Sequence, residues 1–162
     1  MNRLAALLLG AGTSALAPPG EVGVARVLGA VGSGRFGLAW LALCVALAIH
    51  VADEALNGFL AVYNPTVRAI RTRLPLLPLP TFTFRAWLTG LIVATVILLA
   101  LTPSAFRGAA WLVPVAYAFG IVMTGNGVGH LVAAALARRA VPGVYSAPLI
   151  LAAAIYLLRS VR

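Results

Sequence analysis

His50, Asp53, Glu54 and Asn57 fall at i, i+3, i+4 and i+7, so on an α-helix all four project from one face. Further along, Asn126 and His130 stand at i and i+4 and share a face as well. Imidazoles, carboxylates and amides in this combination can hold a divalent transition metal or move a proton. Both histidines and two of the three carboxylates of the chain belong to these two clusters. Each cluster lies inside an apolar stretch long enough to cross a membrane, where an ionised group costs several kcal/mol unless it is paired or hydrated.

Two chemistries use the same residues. In the first, His50, His130 and Glu54 (or Asp53) ligate a metal, either Zn²⁺ with an open position for water or Fe²⁺ as a facial triad. The remaining carboxylate is then the general base, with Asn126 orienting the ligands. In the second, no metal is needed: a buried carboxylate exchanges protons with the substrate and the imidazoles position or relay them. Both describe an intramembrane enzyme acting on a lipid-like or otherwise hydrophobic small molecule. The residues also fit a proton- or ion-coupled carrier, although the chain lacks the internal repeat of such proteins and a homodimer would have to supply the two-fold architecture. A third reading is a structural hydrogen-bond network. Such bonds contribute only about 0.6 kcal/mol each in membranes, so two adjacent acids would be a costly way to gain little.

The elements that must position these residues follow from composition. The chain has 162 residues, 62% hydrophobic and 9% charged, with a mean hydropathy of +1.04. Twelve Arg, no Lys and three acids (Glu21, Asp53, Glu54) give a net charge of +9. A soluble domain carries roughly 25% charged residues, so both an ordinary soluble enzyme and a disordered chain are excluded. The arginines are scattered between apolar runs and do not form the basic, aromatic-interleaved stripe of a nucleic-acid binder. Membrane lipids are the expected surroundings. Cys44 is alone and nearly opposite the polar face of its helix, which points to a packing role.

An all-α membrane protein with a bundle of four transmembrane helices is the expected fold, with spans at about 36–63, 84–101, 109–137 and 141–158. Residues 1–35 read as an N-terminal extension, either signal-like, with Ala15-Leu16-Ala17 before Pro18-Pro19, or interfacial. Asn64-Pro65 is expected to stop the first span. Residues 64–83 form a Pro- and Arg-rich interfacial loop, in which Arg68, Arg71 and Arg73 beside Val67, Ile70 and Leu74 suggest a short surface helix. Thr102-Pro103 should close the second span, and Pro142 should lie in the first turn of the fourth. Counting back from the expected span ends, Asp53 and Glu54 lie eleven and ten residues before Asn64, while Asn126 and His130 lie twelve and eight before Arg138. The clusters therefore meet at one depth, joined by Tyr145 and Ser146 near the start of the fourth span. Asn57 and Tyr145 are candidates for substrate contact or support.

With these residues in place the sequence resembles the HXXEE domain-containing bacterial membrane proteins, marked by H-x-x-E-E in an early helix, N-x-x-x-H in a later one and Y-x-P-G before the last. The matching segments are His50-Val51-Ala52-Asp53-Glu54, Asn126-Gly127-Val128-Gly129-His130 and Ala140-Val141-Pro142-Gly143. They bracket roughly residues 36–158. Asp53 stands where the family has its first Glu, and Ala140 where it has Tyr, unless Tyr145 supplies that hydroxyl. The resemblance implies an integral membrane enzyme, here of the bacterial inner membrane, adds Pro142 and Gly143 to the site, and brings no settled substrate or reaction.

Overall fold

The computed structural model describes the backbone of residues 19–161 and the side chains of residues 32–161. The expected signal-like segment of residues 1–17 falls outside the described residues. Chain contacts separate residues 1–31 from residues 32–162, and the site lies wholly in the second unit.

Among the described residues the architecture is helical without strands: α1 (Pro19–Leu56), α2 (Phe59–Arg73), α3 (Phe84–Ala100), α4 (Thr102–Phe106), α5 (Leu112–Ala137) and α6 (Ala147–Ser160). Three stretches are long and apolar enough to cross a membrane: Gly32–Leu56, Phe84–Phe106 and Leu112–Ala137. Only helices and closed barrels satisfy their backbone in lipid, so a helical chain of this composition reads as an integral membrane protein.

The fourth expected span is a shorter apolar helix that starts later than expected. α6 has 14 residues, about 21 Å of helix against about 30 Å of hydrocarbon. Residues 141–146, expected as its first turns, instead are non-helical, with consecutive turns over 142–146 that carry Gly143 and Ser146 onto the site. Pro142 lies in those turns, and Pro148 occupies the first turn of α6, where its missing N–H breaks no bond.

α1 forms the heart of the second unit. Phe36, Ala39, Trp40, Leu43 and Leu47 are buried at spacings of three and four, and the same stripe continues through His50 and Glu54. The helix face that packs the core thus becomes the face that carries the chemistry. Cys44 is fully buried, as its position opposite the polar face suggested. Trp40 packs edge-on against Phe36 and Phe119 and donates its indole N–H to the Leu98 carbonyl at 2.9 Å. Gly37 lies so close to Phe106 that no side chain would fit there.

The first span ends earlier than expected. α1 stops at Leu56, and Gly58 takes the left-handed conformation (φ 73°, ψ 42°), which glycine adopts without penalty. Asn64 and Pro65 lie inside α2, so they do not end a helix. The Asn64 amide instead donates to the Phe82 carbonyl (2.9 Å) and its carbonyl accepts from the Phe82 N–H (3.1 Å), while the Tyr63 hydroxyl donates to the Pro80 carbonyl (3.2 Å). These bonds hold the 74–83 connection against α2, and the expected interfacial loop of 64–83 is half helix. Trp87, at the entry of α3, is buried and stacked on Phe59.

Leu101 links α3 to α4, so the second apolar stretch continues past Pro103, which sits in the first turn of α4. α5 begins at Leu112, three residues later than expected, and ends at Ala137 as expected. α6 packs on α5, and its Ile150, Ala153, Ala154 and Leu157 are buried at spacings of three and four. Glycines permit the approach: a Cβ on Gly127 would meet the Ala147 carbonyl and Leu151 at 3.1 Å, and one on Gly120 would meet Leu158 at 2.7 Å.

Candidate metal centre in the α1–α5–α6 core

α1 presents His50 and Glu54 one turn apart, both buried at 1% and 4% exposure. α5 presents His130 across from them. Nε2 of His130 lies 3.0 Å from Oε1 of Glu54, and Nε2 of His50 lies 3.6 Å from the same oxygen. The two imidazole rings meet edge-on with centroids 4.8 Å apart. One ligand atom from each of His50, Glu54 and His130 lies within 4.8 Å of the others. α1 and α5 thus bring His50, Glu54 and His130 into one polar cluster.

The turn before α6 fixes the histidines. The Ser146 hydroxyl lies 2.7 Å from Nδ1 of His50 and donates to Oδ2 of Asp53 at 2.7 Å; the Ser146 N–H donates to the same carboxylate oxygen at 2.9 Å. A serine has one hydroxyl proton, and the short contact to a carboxylate claims it over the Gly143 carbonyl at 3.2 Å. The oxygen must then accept from Nδ1–H of His50. That assignment leaves Nε2 of His50 with a lone pair. It is buried and without a hydrogen-bond partner among the described residues, as is Oδ1 of Asn126, whose side chain lies beside His50.

His130 is held from the other side by the turn. The backbone of Pro142 lies beside its ring. Gly143 has φ 84°, and a Cβ there would stand 2.5 Å from Cε1 and 2.7 Å from Nδ1 of His130. Glycine is required twice over, for the backbone conformation and for the space the ring occupies.

The other expected site residues separate by role. Asp53 does not point into the cluster as a general base; it caps the turn leading into α6, and its Oδ1 accepts from the Asn57 amide at 2.7 Å. Asn57 is exposed and also donates to the Asp53 carbonyl at 2.9 Å, so it braces the end of α1. Tyr145 is 72% exposed, and the residue that reaches the site is its neighbour Ser146, buried at 6%. Sequence spacing placed both near the site, but only the turn geometry decides which side chain enters it.

A cavity of about 290 Å³ adjoins the cluster, lined by Phe59, Val62, Tyr63 and Thr66 of α2, by Gly129, His130 and Ala133 of α5, and by Val141 and Pro142. His130 is the imidazole in an otherwise mainly apolar wall, and Phe59 stands with its ring centroid 5.9 Å from that of His130. Of the alternate glycines of α5, Gly127 serves packing, whereas a Cβ on Gly129 would meet nothing within 4 Å.

No curated protein and no solved structure matches the chain. Residues 40–157 match the family described as a protein of unknown function with HXXEE motif, and the matched stretch contains every residue of the cluster. The motif histidine and second acid, His50 and Glu54, are the pair that α1 presents to His130, and the chain belongs to the HXXEE family.

Proposed function

We propose that the protein is an intramembrane enzyme of an inner, cytoplasmic membrane, in which His50, Glu54 and His130 hold a divalent transition metal beside an apolar substrate groove. The observation that carries this reading is the buried Nε2 of His50. It has no hydrogen-bond partner among the described residues and stands 3.6 Å from the Glu54 carboxylate oxygen; with the proton on Nδ1, a cation among the three donors would satisfy both atoms.

The donor set fits such an ion. Zinc–nitrogen and zinc–oxygen bonds of roughly 2.0–2.2 Å place tetrahedral donors about 3.4 Å apart; the two separations to Glu54, 3.0 and 3.6 Å, straddle that value, and all three donors lie within 4.8 Å of one another. The Ser146–Asp53 pair orients His50 through its other ring nitrogen, the outer support that metal-ligating histidines require. A bound metal would supply Lewis acidity or activate a water at neutral pH. The chain's own residues do the rest. Asn126 offers an unpaired carbonyl oxygen toward which a polar group of the substrate can donate. Phe59, Val62, Ala133 and Val141 receive a hydrocarbon portion and keep water from the cluster.

A metal-free reading has one observation in its favour. The 3.0 Å His130–Glu54 contact is already a good hydrogen bond and can pass a proton without a metal. Elemental analysis of protein purified in mild detergent separates the two. Close to one transition-metal ion per chain, lost in His50→Ala, Glu54→Ala and His130→Ala, is the expected result. A metal-free protein after growth in supplemented medium would overturn the metal reading and leave the acid–base pair in its place.

A further inference from the structure

A second site lies on α2, away from the groove. Arg68, Arg71 and Thr72 stand at i, i+3 and i+4 and, with Pro75, line a recess of about 350 Å³. At about 100° per residue, this flank of α2 is roughly opposite the Phe59, Val62, Tyr63 and Thr66 flank that lines the groove. The Thr72 hydroxyl donates to the Ala69 carbonyl at 2.7 Å, so the donors facing the recess are two guanidinium groups. Nothing in the described protein neutralises them. The acids among the described side chains are Asp53 and Glu54, both engaged in the core, and neither ion pair among the described residues involves an arginine. Immediately beyond the recess, Leu74, Leu76 and Leu77 are exposed, Leu76 at 96%.

Uncompensated guanidinium groups next to exposed leucines are the two halves of an amphiphile-binding surface. The planar guanidinium fork matches phosphate oxygens bidentately, and leucines on the next turn of chain sit among acyl chains. A free phosphate would satisfy the charges and leave the leucines in water. We propose that Arg68 and Arg71 bind the phosphate of an anionic phospholipid whose chains lie against Leu74, Leu76 and Leu77. This anchors α2 at the surface of an anionic leaflet, and it does not depend on the reaction carried out in the core.

The test is a titration of the full chain in neutral detergent with phosphatidylglycerol, phosphatidylcholine or inorganic phosphate, with bound lipid counted by native mass spectrometry. Phosphatidylglycerol is expected to bind more tightly than phosphatidylcholine. An interfacial arginine contributes about five-fold in affinity, so Arg68→Gln with Arg71→Gln should weaken phosphatidylglycerol binding by about thirty-fold. Arg73→Gln with Arg85→Gln removes the same charge outside the recess and should leave most of the binding intact. Arg68→Lys with Arg71→Lys keeps the charge and loses the fork, and should fall between. Equal binding of the two lipids, equal losses in the two glutamine pairs, or displacement of the lipid by an equal concentration of inorganic phosphate would each overturn the proposal.

Discussion

The Ser146 hydroxyl stands 2.7 Å from Nδ1 of His50, joining residues 96 positions apart in the chain. Through it the Asp53 carboxylate decides which nitrogen of His50 carries the proton. The relationship gives Ser146 a role that differs from simple packing. Ser146→Ala removes the acceptor for Nδ1–H and frees the ring to turn or change tautomer, so metal affinity should fall by about 10- to 100-fold. Competition titration with a chelating dye measures the loss. Unchanged affinity in a correctly folded Ser146→Ala protein would mean that the tautomer is set elsewhere.

Gly143 and Gly58 both have positive φ, 84° and 73°, but their surroundings differ. Alanine at either position carries about 1–2 kcal/mol of backbone strain. At Gly58 that is the whole cost, because a Cβ would meet nothing within 4 Å. At Gly143 the methyl group would also overlap the His130 ring. Gly58→Ala should therefore lower Tm by a few degrees and keep the proposed metal binding. Gly143→Ala should lose the metal as well. Equal behaviour of the two variants would detach Gly143 from the site.

The sequence showed the site more clearly than the helices that build it. Charged residues in a membrane are so costly that His50, Glu54 and His130 could be singled out and matched in depth without coordinates. The ends of helices depend on weaker preferences. Asn64-Pro65 looked like a stop, yet proline is tolerated there and the Asn64 side chain pairs with Phe82, a contact between segments that no local pattern reveals. The true stop, Gly58, is a lone glycine whose left-handed conformation cannot be told from a helical one by spacing. The same holds at the far end: Val141 to Ser146 is apolar enough to extend a span, and only the fit of Gly143 against His130 and of Ser146 against His50 keeps it as a turn. Asp53 and Glu54 were legible as a pair but not as two roles, because neighbouring positions on one helix differ by about 100° in direction.

Gly127 and Gly129 are two residues apart on α5 and face different neighbours. A larger residue at 127 must push against the Ala147 carbonyl and Leu151, so Gly127→Leu should disrupt the α5–α6 contact and lower Tm strongly. Gly129 opens onto the groove, and Gly129→Leu should fold normally while filling the space beside His130. Binding of a fluorescent long-chain alkyl probe, measured alongside Tm, distinguishes them. Gly129→Leu is expected to abolish probe binding at unchanged Tm. Full probe binding in that variant would show that apolar molecules do not use the groove.

The neighbouring acids make the sharpest comparison. Asp53 accepts three hydrogen bonds, two from Ser146 and one from Asn57, and stands beside the turn that leads into α6. Glu54 accepts none of these and is aimed at the imidazoles. Asp53→Asn keeps the size of the side chain but weakens charge-assisted bonds, each contributing about 1.5–3 kcal/mol, so it should lower Tm appreciably while metal stays bound at reduced affinity. Glu54→Gln removes one of the three proposed ligands and also removes a buried carboxylate whose desolvation opposes folding. Its Tm in the metal-free state should match or exceed that of the metal-free wild type, and its metal content should fall to background. Asp53→Asn thus loses stability while keeping metal, and Glu54→Gln loses metal without losing stability in the metal-free state. The reverse pattern, with metal lost in Asp53→Asn and kept in Glu54→Gln, would move the ligand role to Asp53 and require the end of α1 to rotate from the position seen here.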